Sequence, residues 1–162
     1  MGFFSNLTKE ETKLLESIST VHNYSKEYLL SYEKEQNTHI LFLLDGFAKA
    51  YKIDKNSNEI FLFHIYKDSV ISDLSNVHNN LITSFSNISL LEDSKILKIE
   101  YKKFMELFVY SGILCQEYTN QLILRSNQLQ MLLNREFIFD SVQKVAMMLD
   151  HDLEMFNKLK RS

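Results

Sequence analysis

The 162-residue sequence contains no proline, no tryptophan, three glycines and one cysteine, Cys115. A single cysteine excludes an internal disulfide framework, a zinc site with two or more thiolates, and an iron–sulfur cluster held by four cysteines of one chain. Three glycines leave no glycine-rich phosphate loop. We interpret Cys115 as a small apolar residue on a helix.

Basic residues are also scarce: 18 lysines and arginines are outnumbered by 21 aspartates and glutamates, which gives a net charge of -3. A domain that grips DNA usually carries a basic surplus, because neutralising phosphates releases counterions. No apolar run approaches the roughly 20 residues that span a bilayer, and the N terminus becomes polar too early for a signal peptide. We therefore expect a cytoplasmic, soluble protein with no DNA-binding surface of its own.

The chain is 45% hydrophobic and 12% aromatic, which is enough to bury a sizeable core. A first helix is predicted to start at Thr8, whose hydroxyl can cap free N–H groups. Glu11 completes a capping box, Leu7 can act as a hydrophobic staple, and the helix should end near Ser19.

Short runs rich in β-branched and aromatic residues, separated by polar turns, extend from about Thr20 to Ile99. This pattern predicts an all-β barrel or sandwich. The runs His39–Leu44 and Phe47–Ile53 are separated by Asp45-Gly46, and an Asp-Gly pair between apolar runs indicates a hairpin.

The second run, FAKAYKI, places its large apolar residues on one face and two alanines with a lysine on the other, which suits a half-buried strand. A second turn at residues 54–58 leads into the strand Glu59–Tyr66. Ser94–Glu100 is a further alternating strand.

After Tyr101 the pattern becomes helical, with a short helix to Val109 and then, beyond Gly112, a long stretch of good helix formers. One stripe of this stretch repeats at spacings of three, four or seven. Its members are Tyr118, Leu122, Arg125, Leu129, Leu132, Glu136 and Phe139. Such a stripe suits a two-stranded coiled coil or a helix packed on its own β-domain. Because the helix has more surface than one small barrel covers, we favour a homodimer interface formed by these residues.

Four stretches resemble the cyclic-nucleotide-binding-like sensory domain of Crp/Fnr-type transcription regulators, in the family's order and spacing. They are HILFLLDGFAKAYKID, EIFLFHIYKDSVISDLS, SLLEDSKILKIEYKKFMELF and VQKVAMMLDHDL. The resemblance covers roughly residues 7–157 and implies a mainly β fold with flanking helices: a cyclic-nucleotide-binding-like β-roll, of the jelly-roll type, followed by a long dimerisation helix.

The resemblance also implies a division into a β-roll effector-binding domain with its N-terminal helix, residues 1–110, and a dimerisation helix with hinge, residues 111–162. Family members carry a helix-turn-helix domain after the long helix. We expect that domain to be absent from this chain, so that DNA binding belongs to a longer protein, although a natural sensor without a DNA reader is the alternative. The resemblance also implies that this chain is not an enzyme.

The family binds its nucleotide with a cassette, which corresponds here to residues 72–85, and with two positions on the long helix. A carboxylate receives the ribose hydroxyl, while backbone N–H groups and an arginine receive the phosphate. The resemblance places the family positions at Ser72, Asp73, Leu74, Ser84, Phe85, Leu129 and Gln130.

Several departures argue against cyclic AMP as the effector. Asp73 stands for the longer glutamate, and Leu129 replaces a hydroxyl residue. No arginine precedes Arg125, and no lysine lies between Lys67 and Lys95. A buried phosphate without a charge-assisted partner would lose its strongest hydrogen bonds.

Three alternatives for the pocket stay open: a different small effector, a degenerate empty pocket, or haem, which some family members use to sense nitric oxide or carbon monoxide. Histidine is a suitable axial ligand, and His78 in the cassette is the candidate, with Leu81, Ile82 and Phe85 available as apolar lining. The other histidines considered are His22, His39 and His64.

A cupin-like metalloenzyme on a similar barrel is the alternative from another functional class. It requires two histidines one residue apart on a strand, with a glutamate and a later histidine. His64 has Leu62 and Tyr66 as its two-apart neighbours, so the pattern is absent. We therefore predict no metal site apart from the haem alternative with His78 as its ligand.

Overall fold

A computed structural model describes residues 2–74, 76–138, 148–155 and 157, with the backbone alone for residues 136–138. Its named helices are α1 (Lys9–Ser17), α2 (Tyr101–Tyr110) and α3 (Gly112–Ile138). Its strands are β1 (Ser19–Tyr24), β2 (Leu29–Ser31), β3 (Gln36–Asn37), β4 (His39–Asp45), β5 (Phe47–Ile53), β6 (Glu59–Tyr66), β7 (Ser69–Val70), β8 (Val77–His78), β9 (Leu81–Thr83), β10 (Asn87–Leu90) and β11 (Ser94–Glu100). Residues 148–155, named here the C-terminal segment, are also helical.

The strands form three antiparallel sheets, which confirms the predicted β-roll with flanking helices. The first has the order β1-β11-β4-β7, the second β2-β10-β5-β6, and a small third sheet has the order β3-β9-β8. Because sequence neighbours such as β4 and β5 belong to different sheets, the chain repeatedly crosses from one layer of the roll to the other. None of the described helices is long and apolar enough to cross a bilayer.

Strand β4 lies at the centre of the fold and is buried on both faces. Ile40 and Phe42 pack with Phe104 of α2 in one cluster. Leu41 and Leu43 point the other way, into the cluster between the two large sheets. Successive strand residues alternate between faces, so four consecutive buried apolar residues indicate that the sheet has helices on one side and a second sheet on the other.

Gly46 makes a corner between sheets, and the predicted Asp-Gly hairpin is wrong. β4 pairs with β11 and β7, whereas β5 pairs with β10 and β6. Gly46 alone separates β4 from β5, and a tight hairpin needs two loop residues. With φ at 107°, Gly46 turns the chain into the second sheet.

The predicted second turn is confirmed as a hairpin between β5 and β6, whose register runs from Phe47 opposite Tyr66 to Ile53 opposite Glu59. The Asp54 carboxylate accepts hydrogen bonds from the turn, at 2.8 Å from the Asn56 amide N–H and 2.9 Å from the Asn58 amide N–H.

Strand β5 buries its small residues. Ala48 and Ala50 are fully buried in the cluster between the sheets, while Tyr51 is half-buried and Ile53 is exposed. Large residues from β4 and β6, such as Leu43 and Ile65, fill that space, so only methyl groups fit on the inward face of β5.

The first helix begins as predicted and ends two residues earlier, at Ser17. The Thr8 hydroxyl accepts from the Glu11 amide at 3.2 Å, and a Glu11 carboxylate oxygen accepts from the Thr8 amide at 2.9 Å. Ser111 then donates to the other Glu11 oxygen and accepts from the Leu114 amide at 3.1 Å. The capping box therefore also anchors the start of α3.

Candidate functional site

A cavity of about 40 Å³ lies between the cassette, the second sheet and α3. Its polar lining consists of Ser31, Asn37, Ser72, Asp73, Ser84, Ser86 and Arg125. Its apolar lining consists of Leu41, Phe63, Ile71, Ile82, Phe85, Ile88 and Leu129. This volume holds a few water molecules, so a larger ligand would require its walls to move.

The cavity brings together five of the seven ligand positions that the family resemblance implied. Their side chains are Ser72, Asp73, Ser84, Phe85 and Leu129. The other two are not among its lining residues: Leu74 packs against the helix-side core cluster, and Gln130 is exposed on α3. The proposal that these residues bind a ligand stays a prediction.

Serine hydroxyls hold two walls of the cavity in place. Ser72 accepts a hydrogen bond from the Leu41 amide of β4 at 2.9 Å, which ties the start of the cassette to the first sheet. The hydroxyls of Ser31 and Ser84 lie 2.6 Å apart and join β2 to the end of the cassette. The cassette is therefore fixed at both ends.

Arg125 supplies the cation that the cassette itself lacks. Its guanidinium reaches from α3 into the cavity, donates to the Val70 carbonyl at 2.9 Å and to Gln128 Oε1 at 3.1 Å, and stacks over Phe63 with Cζ 4.3 Å from the ring centroid. Those bonds use two of the five N–H donors of a guanidinium. Sequence reasoning did not place this charge in the pocket.

Two opposing effects set the protonation of Arg125. Burial lowers its pKa to about 10, while the Asp73 carboxylate favours the charged form. At neutral pH the guanidinium is therefore protonated, and the cavity contains one positive and one negative side chain. Such a balance suits a polar or zwitterionic ligand better than a multiply charged anion.

A polar stripe on α3 joins the helix to the open sheet edges, and sequence reasoning missed two of its members. Gln121 Oε1 accepts from the Val70 amide at 3.4 Å, and Gln128 Nε2 donates to the His64 carbonyl at 3.1 Å. Both glutamines are buried. With Arg125 they are spaced four and three residues apart, and this 3-4 spacing of long polar side chains is the signal that could have revealed them.

The residues predicted to form a dimer seam share one stripe of α3 but differ in burial. Tyr118 is buried in the helix-side core cluster, and Leu129 and Leu132 pack against the cluster between the sheets. Leu122 is 42% exposed.

The last two predicted seam residues are Glu136 and Phe139. The side chain of Glu136 and the whole of Phe139 lie outside the described part of the chain. The dimer interface stays a prediction.

The haem candidate His78 is exposed on β8, beside the loop to β9. No histidine is present among the described residues that line the cavity. His64 points instead to Asp152, with Nδ1 3.0 Å from the carboxylate. Over the described ranges, no three His, Cys, Asp or Glu side chains gather closely enough to hold a metal ion.

Comparison with known proteins supports the fold through structures alone, because no family model and no curated protein matches the sequence. The Thermus thermophilus catabolite activator protein aligns at a TM-score of 0.66 with 14% identity, over 82% of this chain and 61% of that one. The c-di-GMP-responsive global regulator CLP of Xanthomonas campestris aligns at 0.69 with 11% identity, over 82% and 66% of the two chains.

The CO-dependent transcription factor CooA from Carboxydothermus hydrogenoformans aligns at a TM-score of 0.67 with 15% identity, over 92% of this chain and 64% of that one. The chain thus spans less than two thirds of each of these three regulators. Their shared part contains the β-roll and the long helix. The chain therefore has the fold of the cyclic-nucleotide-binding-like sensory domain found in Crp/Fnr-type transcription regulators.

Proposed function

We propose that the chain is the effector-sensing and dimerisation region of a Crp/Fnr-type transcription regulator, with the cassette cavity as its effector site. The observation that carries this proposal is the convergence of Ser72, Asp73 and Ser84 from the β-roll with Arg125 and Leu129 from α3 on one cavity. A ligand there contacts both the sensor and the helix, which is what coupling between them requires.

In this proposal the effector is not cyclic AMP. Arg125 is already bonded to Val70 and Gln128, and Asp73 shares the cavity, so a phosphate would meet a carboxylate as well as the guanidinium. Leu129 offers no hydroxyl to a base. The structures with the same fold include a c-di-GMP-responsive and a CO-dependent regulator, so the fold itself does not fix the effector.

The homodimer belongs to the proposal as well, and it best fits the exposed side of α3. Leu122, Ile123 and Leu133 are 42%, 54% and 55% exposed, whereas Tyr118 and Arg125 pack on the chain's own β-roll. A second α3 covering those three side chains would bury the apolar surface that the single chain leaves in water. DNA binding and cytoplasmic action belong to the longer regulator, and the chain itself is not an enzyme.

A haem-based gas sensor is the second candidate, because CO-dependent CooA has the same fold. The described cavity does not fit haem well, since it contains no histidine and His78 is exposed outside it. Haem reconstitution of the purified chain tests this candidate. A Soret band that disappears in His78→Ala would favour it, and no band in either protein would dismiss it.

A thermal-shift screen of the purified chain tests the effector site. The panel contains cytosolic metabolites of low mass, with cyclic AMP and c-di-GMP as reference compounds. A ligand at 100 times its Kd stabilises the folded state by about 2.7 kcal/mol. We expect cyclic AMP to give no shift, and a true effector to give one that Arg125→Met abolishes.

The matched control is Arg135→Met, which removes an arginine from the same helix outside the cavity. It should leave the effector's shift intact. A saturable shift with cyclic AMP would contradict the exclusion of that nucleotide. Hits that are insensitive to Arg125→Met would place the effector elsewhere, and a panel without any hit would favour an empty, degenerate pocket.

A further inference from the structure

The C-terminal segment, residues 148–155, docks on strand β6 through one carboxylate. Asp152 accepts a hydrogen bond from His64 Nδ1 at 3.0 Å. It also pairs with the Tyr66 hydroxyl, and burial together with this carboxylate raises the pKa of Tyr66. Met155 is buried. The segment is therefore attached to β6 by Asp152, and its Met148 and His151 line a small cavity together with Phe61 and Leu62 of that strand.

Gln128 joins this docking site to the cavity. Its Nε2 donates to the backbone carbonyl of His64 at 3.1 Å, and its Oε1 accepts from Arg125 at 3.1 Å. The side chain is only 5% exposed, so water cannot readily replace either partner. The buried amide of Gln128 thus connects His64, which binds Asp152, with the guanidinium of Arg125, which lines the cavity.

This series of contacts ends inside the cavity. Arg125 donates to the Val70 carbonyl next to the cassette, and the Asp73 carboxylate favours the charged form of Arg125. A ligand that engages the guanidinium must compete with Gln128 and Val70 for the same N–H groups. Because a buried amide is costly to leave half-bonded, Gln128 would then change its orientation and weaken its bond to His64.

We propose that Asp73, Arg125, Gln128, His64 and Asp152 form a polar relay that couples the cavity to the docking of the C-terminal segment. The relay shifts a population between docked and released segment. A signalling role for the relay rests on the proposed function. In a regulator of that type the C-terminal segment would lie between α3 and the DNA-binding domain. The coupling itself needs no effector and is tested without one.

Hydrogen exchange of the intact chain, read by mass spectrometry over residues 148–155, measures the docking directly. Gln128→Glu keeps an acceptor for Arg125 but removes the donor to the His64 carbonyl. We expect exchange in the segment to rise about fivefold, as for the loss of one buried hydrogen bond. Gln130→Glu makes the same change at an exposed position of α3 and should leave exchange unchanged.

Arg125→Met tests the long-range part of the relay, because the described contacts of Arg125 do not include the C-terminal segment. Exchange over residues 148–155 should rise in this variant too. Combined with Asp152→Asn, it should raise exchange less than the product of the two single effects, since both act on one linked system. Asp150→Asn is the matched control on the exposed side of the segment, and it should combine with Arg125→Met multiplicatively.

Three outcomes would overturn the relay. The segment's exchange could be unchanged in Gln128→Glu, it could rise equally throughout the β-roll, or Arg125→Met and Asp152→Asn could act independently. These results are separate from the proposed function. An effector that binds without altering exchange at residues 148–155 would refute the relay alone, whereas an intact relay in a chain that binds no effector would refute the sensing role alone.

Discussion

Replacing Gly46 with alanine is the most direct test of the corner that carries the chain from the first sheet to the second. Gly46 has φ at 107°, where an L side chain is strained by about 1–3 kcal/mol. A Cβ there would lie 2.1 Å from Ser94 Oγ and 2.9 Å from Ser94 Cα. Forcing an extra methyl group into a packed site adds about 1–3 kcal/mol.

The expected loss for Gly46→Ala is therefore about 2–6 kcal/mol, a large share of the roughly 5–15 kcal/mol that stabilises a domain. Urea unfolding followed by circular dichroism measures it, with an unchanged m-value showing that only stability has changed. Ser94→Gly in the same chain removes the side-chain clash but leaves the φ strain and the contact with Cα. It should restore only part of the loss.

Gly112→Ala is the matched control, because a Cβ at Gly112 meets nothing within 4 Å and the position begins α3. Its effect should stay within about 1 kcal/mol, in either direction. If Gly46→Ala changed the free energy of unfolding as little as Gly112→Ala, the positive φ of Gly46 and its close approach to Ser94 would not limit the residue at this position. That result would refute the described conformation of the corner.

Three further predictions concern the helices. Ser111 and the capping box lower the pKa of Glu11, so its charge stabilises the fold above the ordinary carboxyl pKa, and this contribution is lost as the pH falls through the lowered value. Glu11→Gln should thus cost roughly 0.5–1 kcal/mol in urea unfolding at pH 7, and a difference that does not shrink as the pH falls below the ordinary carboxyl pKa would contradict this. Phe104→Ala should cost about 3–5 kcal/mol by leaving a cavity between α2 and β4, and a loss below about 1 kcal/mol would contradict its burial. Leu122→Asp should convert a sedimenting dimer to monomer at tens of micromolar without unfolding it. The same change at Leu14, which is 50% exposed on α1, should leave the dimer intact, and a monomeric parent chain would refute the dimer.

Local signals predicted the elements well because their causes are local. The Thr8–Glu11 capping box needs four consecutive residues, and the structure confirms it. The strands Glu59–Tyr66 and Ser94–Glu100 also have the predicted bounds, since alternation and β-branching act within each strand. The family resemblance located five cavity residues because the β-roll preserves their order along the chain.

Pairing between distant elements was harder to predict. The Asp45-Gly46 pair carries the signal of a hairpin, but the pairing of β4 with β11 and of β5 with β6 decides that it is a corner. The outward direction of Tyr51 could not be read from β5 alone. Its neighbours Ala48 and Ala50 are buried because larger side chains from other strands occupy the space between the sheets.

The sequence by itself determined the order of helices and strands, the capped start of α1 and the absence of an arginine from the cassette. Only the tertiary structure decided that Arg125 restores a cation to the cavity and that Gln128 connects it to His64. The physical reason is that a helix stripe shows which residues share a side but not what lies against it. The same 3-4 spacing suits a partner helix or the chain's own sheet edge, and the packing of α3 on β6 and β7 determines which of its polar side chains are buried.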